Sequence, residues 1–185
     1  LSANPWGYRH KARIGVKHVP KKGGVLVGFR ENDGRFITNM DSCPILAPQI
    51  GENIGLLKEF IFSLEAKASI PQIEVAITED QTALIFRHLE DLSKADQEKL
   101  CDLGKNNNWI IYLQPKGPST IHKIYPISQE HDLLNYKIPD FDLTMNFHPS
   151  DFTQVNPQIN QKMLNQAVKL LNLNKLGGGE KKYTK

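Results

Sequence analysis

Three observations in the sequence predict an α+β fold, a mostly antiparallel sheet with flanking helices. Residues Tyr8 to Val19 alternate with period two, the pattern of a strand with two unlike faces. Ile50 to Leu64 instead place apolar residues at spacings of three and four, the pattern of an amphipathic helix. Most other strand-like runs meet at tight turns and not across helices, so hairpins outnumber crossover units. With 185 residues the chain suits one compact domain or two very small ones.

Taken in order, the first strand puts Tyr8, His10, Ala12, Ile14, Val16 and His18 on one face, with Arg9, Lys11, Arg13 and Lys17 on the other. Lys21-Lys22-Gly23-Gly24 predicts a turn into a strand at Val25 to Arg30. Asn32-Asp33-Gly34 predicts a second turn into Phe36-Ile37-Thr38, completing a meander. One helix follows through Ile50, Ile54, Leu57, Phe60, Ile61 and Leu64. Ile73 to Ile77 and Ala83 to His88 flank Glu79-Asp80 as a hairpin. Ser93 followed by Asp96 has the spacing of a helix cap, and Gly104 is the expected end of that helix. Trp109 to Gln114 reads as a strand broken by Pro115, Gly117 and Pro118. Tyr136 to Ile138 and Leu143 to Phe147 pair around Pro139-Asp140, and Pro157 starts a last helix through Leu171.

Composition narrows the function classes. Lys and Arg number 23 against 20 Asp and Glu, a net charge of +3, so a nucleic-acid site has to be local and not a global basic field. Cations do crowd the first 35 residues, where only Glu31 and Asp33 oppose them. Two cysteines, Cys43 and Cys101, are too few for a disulfide scaffold, and a reducing cytoplasm is the expected compartment. No apolar run has the length of a membrane span or the layout of a signal peptide.

Few residues carry chemistry on their own. Cys43 precedes a predicted helix, where unpaired N–H groups favour a thiolate; the plain alternative is a small buried side chain. Cys101 fits the core pattern of its own helix. The histidines share no motif and receive no catalytic role. Gly177-Gly178-Gly179 follows a helix, the reverse of a phosphate-cradling order. The basic strand, with Trp6 and Tyr8 before it, pairs cations suited to phosphates with aromatics that stack unpaired bases; a solvated cationic face is the alternative. Phe152 and Gln154, in Ser150-Asp151-Phe152-Thr153-Gln154-Val155-Asn156, offer a stacking ring and an amide for a planar ligand. The competing reading makes Asn156 a helix cap and Phe152 a hydrophobic anchor.

Pro5-Trp6-Gly7-Tyr8-Arg9, Ala12-Arg13, Gly28-Phe29-Arg30, Cys43-Pro44-Ile45-Leu46-Ala47-Pro48-Gln49, Asp151 to Asn156 and Asn160-Gln161-Lys162-Met163 occur together in this order. The set resembles the bacterial large-subunit ribosomal RNA (uracil-5-)-methyltransferases that carry an iron–sulfur cluster, from about Leu1 to Leu173. The resemblance implies that Cys43 is the fourth ligand of the cluster, its three partner cysteines preceding Leu1. It also implies that Phe152 and Gln154 belong to the family's F-x-Q-V-N segment, at the site for the flipped uracil and the S-adenosylmethionine donor. The nucleophilic cysteine and the donor loop would lie outside this chain.

On this reading residues 1–150 form a central RNA-engaging α+β domain. Residues 151–173 are a lead-in segment and helix toward an S-adenosylmethionine domain, and 174–185 an unassigned tail. Tyr8, Arg9, Lys11, Arg13 and Lys17 would contact ribosomal RNA, in a monomer that is inactive by itself. The alternatives are a non-catalytic RNA-binding or assembly module and a protein-interaction domain.

Overall fold

A computed structural model describes residues 1–22, 24–32, 34–127 and 133–171. Gly23 and Asp33 of the two predicted turns, His131 and the stretch 172–185, including Gly177-Gly178-Gly179, lie outside the described residues.

The fold is α+β. Strands β1 (Lys11–Val19), β2 (Gly24–Gly28), β3 (Gln72–Ile77), β4 (Thr82–Arg87), β5 (Ile110–Gln114) and β6 (His122–Tyr125) form one sheet in the order β2-β1-β3-β4-β5-β6. Strands β7 (Leu134–Ile138) and β8 (Leu143–Phe147) make a separate antiparallel pair. Helices α1 (Pro48–Gly51), α2 (Ile54–Ser63), α3 (Lys94–Asn107) and α4 (Pro157–Leu170) complete the chain.

Alternation sorts the central strands between two cores. Ile73 and Val75 of β3, Leu84 and Phe86 of β4, and Ile111 and Leu113 of β5 join Ile54, Leu57, Ile61 and Leu100 of the helices in the larger cluster. Their neighbours Ala76, Ala83, Ile85, Ile110 and Tyr112 point the other way and meet Leu134 and Phe147 of the β7–β8 pair. β4 and β5 are therefore apolar on both faces. β1 buries Ala12, Ile14 and Val16 on one face, while the other is covered in part, with Gly15 buried, Lys11 half-buried and Arg13 and Lys17 exposed.

Several expectations hold. β3 and β4 pair as the predicted hairpin, and β7 and β8 pair across a short 3-10 turn at Pro139–Phe141. The Ser93 side chain accepts from the Asp96 N–H at 3.2 Å, as the cap spacing requires.

Others are corrected. The single helix expected from Ile50 is two, because the chain reorients at Glu52-Asn53 between α1 and α2. The third meander run returns antiparallel beside the end of β2, through the Arg30–Ile37 bridge and the Thr38 N–H to Phe29 and Met40 N–H to Val27 carbonyl bonds, but is too irregular for a strand of the sheet, and the inner neighbour of β1 is β3. β6 was not anticipated, and β4 pairs with β5 in parallel, with α3 as the crossover. Helix α3 also runs past Gly104 to end at Asn108, in the left-handed conformation with φ 55°. Gly104 serves packing instead: a Cβ there would stand 2.7 Å from Tyr125 Cδ1 and 2.8 Å from Ile111 Cγ1.

Candidate functional site

The residues leading into β1 run beside the loop that holds Cys43. Gly7 N–H donates to the Pro44 carbonyl at 2.8 Å and Arg9 N–H to the Ile45 carbonyl at 2.9 Å, while Ala47 N–H returns to the Arg9 carbonyl at 3.1 Å. Gly7 has φ +63°, a conformation that side chains with a Cβ rarely adopt. Two motifs separated by some thirty-five residues in sequence are thus one backbone ladder.

A second crossing brings in the segment around Gln154. His10 N–H donates to the Val155 carbonyl at 2.8 Å, and the Lys11 ammonium donates to the Pro149 carbonyl. The turn before Gln154 closes on itself. Asp151 Oδ2 accepts from the His148 N–H at 2.8 Å, the Asp151 N–H returns to the His148 carbonyl at 2.8 Å, and the His148 ring meets Tyr112 edge-on at 5.9 Å. Asn156 caps α4, its Oδ1 accepting from the Ile159 N–H at 3.0 Å, with Pro157 at the first helical position. The β7–β8 turn is tied to the same helix, since Asp140 accepts from Gln161 at 3.1 Å and from Asn165.

These crossings enclose a cavity of about 340 Å³, lined by Trp6, Tyr8 and His10, by Thr78 and Glu79 from the end of β3, by Tyr136 and Phe147, and by Gln154 and the first turns of α4. It is large enough for a nucleoside-sized ligand, and aromatic walls with a few polar groups suit a planar one. Burial pushes the His10 imidazole below its ordinary pKa, against the Ile77 backbone and the Glu79 charge, which pull it up.

Of the residues singled out in the sequence, Tyr8 and Gln154 line this cavity together with Trp6. Phe152 is not among its walls. It stands 83% exposed and is no hydrophobic anchor. The cations diverge. Lys17 is exposed; Arg13 pairs with Glu74; Lys11 is half-buried on the Pro149 carbonyl; Arg9 is half-buried, with Nε out of reach of solvent. Burial pulls the Lys11 ammonium below its ordinary pKa, offset in part by Glu74 and Asp151 and reinforced by Arg13.

Neither thiol is placed for reaction. Cys43 is only 5% exposed within the larger core, its N–H donating to the Gly51 carbonyl at 2.8 Å. Cys101, expected as plain core, is half-buried on the α3 side that faces Ile124, and burial pushes its thiol up, away from the reactive thiolate. Among the described residues no three His, Cys, Asp or Glu side chains gather as a metal site. These residues alone therefore do not fit an iron–sulfur cluster, which takes four thiolates.

Sequence reasoning missed His10, Glu79 and Tyr136. The alternation of Tyr8 with His10 was the only signal for any of them; Glu79 and Tyr136 reach the cavity through tertiary packing.

No family model matches the chain. It is 48% identical over 165 residues to the 23S rRNA (uracil(1939)-C(5))-methyltransferase RlmD of Hahella chejuensis, covering 89% of this chain and 37% of that protein. The enzymes of the same name from Paracidovorax citrulli and Francisella tularensis subsp. novicida are 46% and 45% identical, over 90% and 93% of this chain. The chain thus spans little more than a third of the length of the curated relatives it matches. Its fold is also that of a solved structure, the Pyrococcus abyssi tRNA (uracil-54, C5)-methyltransferase in complex with S-adenosyl-L-homocysteine. That likeness has a TM-score of 0.64 at 18% identity and covers 91% of this chain and 42% of the other.

Proposed function

We propose that this chain, a homologue of part of the 23S rRNA (uracil-C5)-methyltransferases, is the central RNA-engaging portion of such an enzyme. The observation that carries the reading is the convergence of Tyr8 and Gln154 on one aromatic cavity from opposite ends of the sequence. Residues 1–150 make the RNA-engaging domain, and 151–173 lead toward the part of the enzyme that binds S-adenosylmethionine.

The reaction begins when a cysteine thiolate adds to C6 of an unstacked uracil, making C5 nucleophilic. S-adenosylmethionine, when bound, supplies the electrophilic methyl group. A base then removes the C5 proton, and the thiolate leaves. The buried Cys43 and the poorly ionised Cys101 suit neither role, so the nucleophile belongs to another part of the enzyme.

This chain's own residues bind and orient. Gln154 offers an amide that donates and accepts toward the edge of a planar base, next to the rings of Trp6, Tyr8 and Tyr136. Phe152, exposed beside it, is free to stack on a base or on the donor. Arg13 and Lys17 present cations to the phosphate backbone, with the half-buried Arg9 behind them. Cys43 would hold an iron–sulfur cluster only together with three thiolates from outside this chain, whose own cysteines are Cys43 and Cys101. By itself the chain is a cytoplasmic, monomeric, inactive recognition unit.

The test is methyl transfer to 23S rRNA by the full-length protein, with labelled S-adenosylmethionine. Gln154→Ala is expected to depress transfer far more than RNA affinity. A full-length protein that binds this RNA and transfers no methyl group would leave only a binding module.

A further inference from the structure

We propose that Lys11 is a positioning residue for the loop that carries Gln154, and not a ligand of RNA phosphate; the inference rests on the functional reading above. Adjacent residues grip this loop at both ends. His10 N–H holds the Val155 carbonyl at 2.8 Å, and the Lys11 ammonium holds the Pro149 carbonyl. Only residues 150–154 lie between the two anchors.

The anchor itself is rigid. Lys11 opens β1, pairs with Ala76 in the β3 register, and belongs to an inner strand of the six-stranded sheet. The Pro149 end of the loop is pinned a second time, through the His148–Asp151 turn and the packing of His148 on Tyr112. Gln154 therefore inherits its place from the sheet. An amide that must meet one edge of a base gains from such preorganisation, because small misplacements of a reacting group cost rate steeply.

Lys11 also differs from a phosphate ligand in kind. A lysine that grips RNA keeps its head in water beside the backbone, as the exposed Lys17 does. The Lys11 head is half-buried and already donates to a carbonyl, with Asp151 and Glu74 as the carboxylates near enough to act on it.

The experiment uses the full-length protein and 23S rRNA. Lys11→Met, which keeps the stem and removes the donor, is expected to lower kcat roughly ten- to a hundred-fold. KM should stay within about twofold, and the salt dependence of RNA binding should be unchanged. Lys11→Arg, which keeps a donor, should recover most of the rate. An unchanged kcat with a salt slope reduced by about one would overturn the proposal and make Lys11 a phosphate contact. Acetylation footprinting of the unmutated protein decides the same question without a variant. The reactivity of Lys11 should not change when RNA is bound, while Lys17 becomes protected; a Lys11 shielded by RNA would overturn it. A wild-type protein that transfers no methyl group refutes the functional reading instead, and the footprint still tells whether RNA shields Lys11.

Discussion

Arg13 Nε lies 3.0 Å from Glu74 Oε1, directly across the β1–β3 ladder where the two residues are register partners. The pair is lopsided: the arginine side chain is 73% exposed and the carboxylate 9%. Gln72 Nε2 donates to the same oxygen at 3.1 Å. The guanidinium thus answers a nearly buried charge while leaving most of its surface open to a second anion, which separates its role from that of Lys17.

The first prediction contrasts these two cations. Arg13→Ala should cost about 1–2 kcal/mol of stability, since the exposed arginine is lost from a nearly buried Glu74 that keeps only Gln72 as its hydrogen-bond donor. Lys17→Ala should cost close to nothing, because no comparable partner is removed. Urea denaturation reads both. In RNA binding, Lys17→Ala should lower the salt slope by about one, and an unchanged slope would take Lys17 out of the interface.

A second prediction concerns the joint between α2 and α3. Asp96 is fully buried and accepts from the Glu65 and Ala66 N–H groups at 3.0 and 2.9 Å. Asp96→Ala strands both donors and should cost about 2–4 kcal/mol, whereas Ser93→Ala loses one cap bond and should cost about 1 kcal/mol. Equal losses would mean that Asp96 serves only the helix end.

Gly104→Ala pits propensity against packing. Alanine favours a helix interior by about 1 kcal/mol over glycine, yet its Cβ would meet Tyr125, Ile111 and the Trp109 carbonyl below 3 Å. The packing should win, with a net loss of about 1–3 kcal/mol. A rise in melting temperature would show that β6 yields easily.

His10 gives a pH prediction. Burial holds its folded pKa below the ordinary 6.5, so the unfolded chain binds the proton more readily. The stability linked to the neutral imidazole is present above 6.5 and is lost as pH falls through the lower, folded value. Melting temperatures of the wild type should therefore drop from about pH 6.5 downward more steeply than those of His10→Gln. Parallel curves would remove His10 as the cause.

Part of the fold was legible because its signals are carried by neighbouring residues. The β3–β4 hairpin follows from two alternating runs around Glu79-Asp80, the start of α3 from Ser93 and Asp96, and the start of α4 from Asn156 and Pro157. Each rests on backbone preferences and hydrogen bonds that close within a few residues. Gln154 was legible through a motif, and Tyr8 through its place beside the basic strand.

The remainder was decided by distant contacts. Alternation tells which side chains share a face, but not which strand lies beside which. The parallel β4–β5 pair goes with the packing of α3 as its crossover, and the β2-β1-β3 half of the order with the pairing of β1 to strands on either side of α2 in the chain. Gly104 reads locally as a helix end, and only the approach of Tyr125 shows why no side chain is tolerated there. In the same way the alternation of β1 predicts a uniform row of cations, and Glu74 and the Pro149 carbonyl give Arg13 and Lys11 different partners. The sequence by itself determined the local elements and the motif chemistry, because those depend on contiguous residues. The cavity, and what each cation does beside it, belong to tertiary structure, because burial and partnership are set by distant groups such as the Pro149 carbonyl, 138 residues from Lys11.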